Sequence, residues 1–154
     1  AFDGLDVGKT AMMNDEKFDA LITDTRVIRS GPKIAAIRDN AVFIQEVAAE
    51  AGSFGRKVGD WPTEDFIGLL AWMKKEGSRL GGGTGSYLLR YMGKESFVLS
   101  KDVVGRLIAE GVIDKAPTSQ KALKDVQAAF NTWKAESGRT LTEISRVLAQ
   151  SIDA

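Results

Sequence analysis

Four of the five residues from Gly81 to Gly85 are glycine, and the cations Lys74, Lys75, Arg79 and Lys94 bracket them. Glycine tolerates positive φ and lets a ligand approach the backbone, but each one costs up to about 1 kcal/mol in chain entropy relative to alanine. A turn between two helices needs one or two such residues. Four, followed at once by a helix start, make a nest of N–H groups at the positive end of a helix dipole, which suits an anion. A nucleotide-binding loop would require Gly-Lys-Ser/Thr after a strand, whereas this run ends Gly85-Ser86 and follows a helix. A tight turn with no ligand remains open. A clamp on a nucleic-acid phosphate accounts best for helix, glycines and helix together. It would use Gly82, Gly83, Thr84, Gly85, Ser86 and Tyr87, with Lys75, Arg79 and Lys94 supplying charge.

The chain contains neither cysteine nor histidine. That removes disulfides, thiolate nucleophiles, Ser-His and Cys-His pairs, and Cys/His metal sites together. Catalysis must rest on carboxylates, lysine, tyrosine, hydroxyls or backbone dipoles, and no metal or cofactor is expected. Net charge is zero, so bulk attraction to nucleic acid is absent, but the charge is unevenly spread. Residues 1–25 carry six acids against two bases, and residues 73–94 carry five bases against one acid. The second stretch is a phosphate footprint or simply a solvated face.

The elements that must position these groups read as helices almost throughout. Asn14 caps a helix to about Thr23, with Phe18, Leu21 and Ile22 at helical spacing. Pro32 opens the next, whose stripe is Ile34, Ile37, Ala41, Ile44 and Ala48 and whose end is Gly52. A loop through Gly55 and Gly59 leads to Trp61-Pro62-Thr63, where a helix runs to about Glu76 and buries Phe66, Leu69, Leu70 and Met73. A short helix then carries Tyr87, Leu88, Tyr91 and Met92. Ser100 caps one with Val103, Val104, Leu107 and Ile108, and Pro117-Thr118-Ser119 opens one with Leu123, Val126, Phe130 and Trp133. Thr140 and Glu143 make a capping box for the last, lined by Ile144, Val147 and Leu148. Trp72 and Trp133 read as core, and Trp61 as the freest of the three tryptophans.

The expected fold is all-α, one helical domain over residues 1–154 with a hairpin at about 80–86. At 154 residues and 44% hydrophobic composition the chain can bury one substantial core. No apolar run approaches bilayer length and no charged-then-apolar leader precedes the first helix, so a cytoplasmic location is expected.

The run Lys74-Lys75-Glu76-Gly77-Ser78-Arg79-Leu80-Gly81-Gly82-Gly83-Thr84-Gly85-Ser86-Tyr87 resembles the helix-hairpin-helix of the 3-methyladenine DNA glycosylase I family. Val27-Ile28-Arg29-Ser30-Gly31-Pro32-Lys33-Ile34-Ala35-Ala36-Ile37-Arg38-Asp39-Asn40-Ala41 is similar to a second and more specific stretch of that family. Together the two similarities span roughly residues 5–105.

The resemblance implies a helix-hairpin-helix glycosylase-like bundle that acts as a monomer on double-stranded DNA containing an alkylated base. The activity it implies is cleavage of the N-glycosidic bond of alkylated purines such as 3-methyladenine, in base-excision repair. The family's catalytic-site glutamate and base-sandwiching aromatics lie upstream of the similar region, and Ala1-Phe2-Asp3-Gly4 reads as the middle of a domain, so some tens of preceding residues are expected. The family's zinc has no ligands here. Asp102 resembles the aspartate of the broader superfamily that supports an electron-poor sugar, although an acid in a first helical turn is favoured anyway. Its spacing from the hairpin is also shorter than in that superfamily. Superfamily members that cut the strand place a lysine after the hairpin, where this chain has Ser86-Tyr87, so lyase chemistry is not expected. A non-catalytic DNA-binding module with the same hairpin is the alternative.

Overall fold

The computed structural model describes residues 1–151. Among them the regular structure is nine α-helices and two short 3-10 turns, with no strand, in agreement with the all-α expectation. The chain forms two compact units.

The first unit comprises residues 1–60 and 74–80. It contains α1 (Val7–Ala11), α2 (Asp15–Thr23), α3 (Gly31–Ala51) and α4 (Phe54–Asp60). Asp6 and Asn14 accept the Lys9 and Lys17 N–H groups and so cap α1 and α2, satisfying donors that a helix start leaves unpaired. Met13, Leu21 and Ile34 form a buried cluster with Phe2, Phe18, Ile22 and Val27 packed against it. Gly52 ends α3 with φ of 83°, a conformation that glycine adopts without strain.

Two features of this unit depart from the expectation. The buried residues of α3 are Ile34, Ala36, Ala41, Phe43 and Val47, while Ile37 is exposed and Ile44 half-buried. The helix packs against α1, α2 and α4, so its buried face is wider than one stripe and includes Ala36, Phe43 and Val47. Residues 54–60, expected as a glycine-rich loop, are helical instead. The Ser53 hydroxyl accepts the Arg56 N–H, Phe54 packs edge-on against Phe43 at 5.6 Å, and Val58 is buried. Those interactions outweigh the low helix propensity of Gly55 and Gly59.

The second unit comprises residues 61–73 and 81–154, of which 152–154 lie outside the described residues. After a 3-10 turn at Thr63–Asp65 it holds most of α5 (Phe66–Glu76), whose last turn belongs to the first unit. Then come α6 (Gly82–Tyr91), α7 (Lys101–Ala109), α8 (Gln120–Ser137) and α9 (Leu141–Gln150). Phe97 lies at the centre of the core, edge-on to Phe66 at 4.9 Å and stacked on Phe130 at 4.2 Å. All three are fully buried, where aromatic pairs add to area burial. Trp72 and Trp133, expected in the core, are half-buried at its edge. Trp61 lies 5.7 Å from Trp72 and donates its indole N–H to Asp65.

The segment from Ser96 to Leu99 belongs to no helix and pairs with no strand. Its Ser96 and Val98 N–H groups donate instead to the hydroxyls of Thr142 and Ser145 on α9, each at 3.1 Å. Buried amides need such partners. Gln127 performs a similar task at the start of α5, accepting the Ile67 N–H at 3.0 Å and donating to Asn131, which bonds the Glu64 carbonyl. Ser100, Ser119 and the Thr140–Glu143 box cap α7, α8 and α9 as expected.

Candidate nucleic-acid interface

Within the first unit, the residues after α5 are held from α3. Asn40 presents its amide to the backbone of Ser78, donating from Nδ2 to the Ser78 carbonyl at 2.9 Å and accepting the Ser78 N–H on Oδ1 at 2.8 Å. One side chain thus satisfies both backbone groups of a residue that no helix or strand serves. Arg79 follows with φ of 58°, one of three non-glycine residues at positive φ among those described, and its side chain is exposed. A left-handed conformation costs about 1–2 kcal/mol for such a residue. The Lys75 ammonium lies 2.8 Å from Glu76, and this hydrogen bond raises its pKa above the ordinary lysine value.

Within the second unit, the glycines are the beginning of α6 itself and no separate loop. The residue preceding the helix, Gly81, offers no capping side chain, whereas Asp6, Asn14, Ser100, Ser119 and Thr140 cap α1, α2, α7, α8 and α9. The first-turn amides of α6 at Gly82, Gly83 and Thr84 therefore face outward on exposed residues with no side-chain acceptor. Gly85 and Ser86 are buried, and their N–H groups fall within the helical hydrogen-bond ladder. Positive φ occurs at Gly82 (59°) and not at Gly83, and a methyl group added at either position would meet open space. Tyr87 is half exposed on the next turn.

The five cations of residues 73–94 have different roles. Arg90 reaches the Ser96 carbonyl at 3.2 Å, and burial lowers its pKa from the ordinary arginine value. Lys94 donates its ammonium to the Trp61 carbonyl. Lys74, Lys75 and Arg79 remain exposed. Asp102 is exposed in the first turn of α7, beside the Ser100 cap, and makes no ion pair or side-chain hydrogen bond.

Asn40 is a residue whose role the sequence does not reveal. Its partner lies 38 residues away, and no local spacing rule connects the two. That Gly82 takes the positive φ is likewise not readable from the sequence, because four glycines within five residues look alike until the helix start is located.

No curated protein and no solved structure matches the chain. The matching family model, that of methyladenine glycosylase, ends at residue 65 and so stops short of the glycine run. Over residues 1–65 the chain matches that glycosylase family, a match consistent with the 3-methyladenine DNA glycosylase I family that residues 27–41 resemble.

Proposed function

We propose that the protein is a DNA glycosylase that hydrolyses the N-glycosidic bond of alkylated purines such as 3-methyladenine and leaves the strand unbroken. The family match over residues 1–65 carries this reading. The exposed, uncapped amides of Gly82, Gly83 and Thr84 support it, because a helix N-terminus of this kind receives a phosphate oxygen. In the same unit Tyr87 adds a hydroxyl, and Lys94 contributes less because Trp61 already holds its ammonium. In the first unit the exposed Arg79 supplies charge, and Lys75 supplies less because Glu76 already pairs with it. Gly85 and Ser86 serve by packing rather than by contact with DNA.

An N3-alkylated adenine carries positive charge and is a good leaving group. The bond from C1′ to the purine nitrogen breaks, the electron pair leaves with the base as neutral alkyladenine, and water adds to the sugar cation, giving up its proton to solvent. A carboxylate near that cation stabilises the developing positive charge while leaving one face of C1′ open to water. Asp102 is the carboxylate named for that role. No amine stands at Ser86 or Tyr87 to form a Schiff base, so the abasic site is the end product.

The test is base release from methylated duplex DNA by the protein and by its Asp102→Asn variant. Release of 3-methyladenine with an intact strand is the expected result. Duplex binding without release would leave the non-catalytic module. Full activity in Asp102→Asn would assign the chemistry to another carboxylate, and strand cleavage without added base would overturn the monofunctional reading.

A further inference from the structure

We infer that Asn40 is a positioning residue that sets Arg79 for contact with a DNA phosphate. This rests on the DNA-binding reading above and assigns a role within it to a residue far from the glycines in sequence.

The observation is the two-point bond between the Asn40 amide and the Ser78 backbone, at 2.9 and 2.8 Å. An amide side chain offers one donor and one acceptor in one plane, the same pair that a neighbouring strand would present. It therefore fixes the position of Ser78 and also the orientation of its two peptide planes. The second of those planes leads into Arg79, whose φ is 58°. A lone arginine drifts away from that conformation unless its surroundings over-determine it. Asn40 projects from the middle of α3, a 21-residue helix, so the constraint comes from a rigid element. The Arg79 side chain is exposed and no carboxylate among the described residues pairs with it. Strain held in place beside an exposed, unpaired cation is explained by what that cation must meet.

The experiment is a double-mutant cycle in duplex-DNA binding across several salt concentrations, using Asn40→Ala, Arg79→Ala and the double variant. Arg79→Ala is expected to flatten the log–log salt dependence by about 0.9, the value of one phosphate contact. Asn40→Ala, though neutral and away from the ligand, is expected to flatten it by a similar amount and to add nothing once Arg79 is alanine. A purely structural role would lower affinity equally in both backgrounds. Independently of DNA, the strong intraresidue HN–Hα cross-peak that positive φ gives Arg79 is expected to weaken in Asn40→Ala.

Additive losses, or an Arg79 cross-peak unchanged in Asn40→Ala, would overturn the positioning role and leave DNA binding standing. A wild-type protein that fails to bind duplex DNA would remove the DNA reading and this inference with it. Should Asn40→Ala fold poorly, the neutral Asn40→Ser serves in the same cycle. Its hydroxyl is too short to serve both Ser78 backbone groups, so a loss that also vanishes without Arg79 is expected.

Discussion

Glu95 and Lys134 are joined by a two-point ion pair, with the ammonium 2.7 and 2.9 Å from the two carboxylate oxygens. The oxygen nearer the ammonium also accepts the Leu141 N–H at 2.7 Å, so one side chain ties the segment before α7 to α8 and to the first turn of α9. Both side chains are less than a third exposed, which limits screening. Glu95→Ala is expected to lower stability by about 2 kcal/mol, the scale of a lost hydrogen bond to a charged group. Lys134→Met should cost less, because the carboxylate keeps the Leu141 amide. Urea unfolding of the two variants checks the order. Equal losses would show that the amide bond contributes nothing.

The Glu143 carboxylate accepts the Thr140 N–H and hydroxyl, each at 2.8 Å, and the backbone bond foremost holds its pKa below the ordinary 4.5. A carboxyl group whose folded pKa is depressed stabilises the fold above its unfolded pKa and loses that contribution as pH falls through the folded one. Stability is therefore expected to drop on acidification below about pH 4.5. In Glu143→Gln, part of that drop should be missing. The comparison is Tm of the two proteins from pH 6 to pH 3, and parallel curves would contradict the assignment.

Phe97 sits between Phe66 and Phe130 with no exposed surface. Phe97→Ala removes both ring contacts and opens a cavity, at a cost of about 3–5 kcal/mol. Against a total stability of about 5–15 kcal/mol for a typical protein, the second unit should be close to unfolding. Phe97→Leu should retain its fold with a smaller loss. Chemical denaturation monitored by tryptophan fluorescence reports both.

Gly82 and Gly83 separate backbone strain from ligand access. Gly83→Val meets open space and needs no positive φ, so the fold should be nearly unchanged. Its side chain would crowd the exposed amides, and DNA affinity should fall at least about tenfold, the equivalent of one charge-assisted hydrogen bond. Gly82→Ala should instead lose about 1 kcal/mol of stability from the φ of 59°. Normal DNA binding by Gly83→Val would remove the amide clamp.

The helices were legible in the sequence because their signals are local. Asn14, Ser100, Ser119 and Thr140 each cap a helix through a backbone N–H three residues on, and Pro32 and Gly52 mark the limits of α3 within the same few residues. The all-α class followed from those signals, and the similarity of residues 27–41 pointed to the glycosylase family. The tertiary structure decided what depends on partners distant in the chain. Phe43 against Phe54 turned residues 54–60 into a helix, and the neighbours of α3 left Ile37 exposed. Arg90 and Lys94 look like surface cations in the sequence, yet each bonds a backbone carbonyl, of Ser96 and Trp61 respectively. Asn40 shows the limit most clearly. Its type permits a paired donor and acceptor anywhere, and only the fold brings Ser78, 38 residues on, to within 3 Å of it.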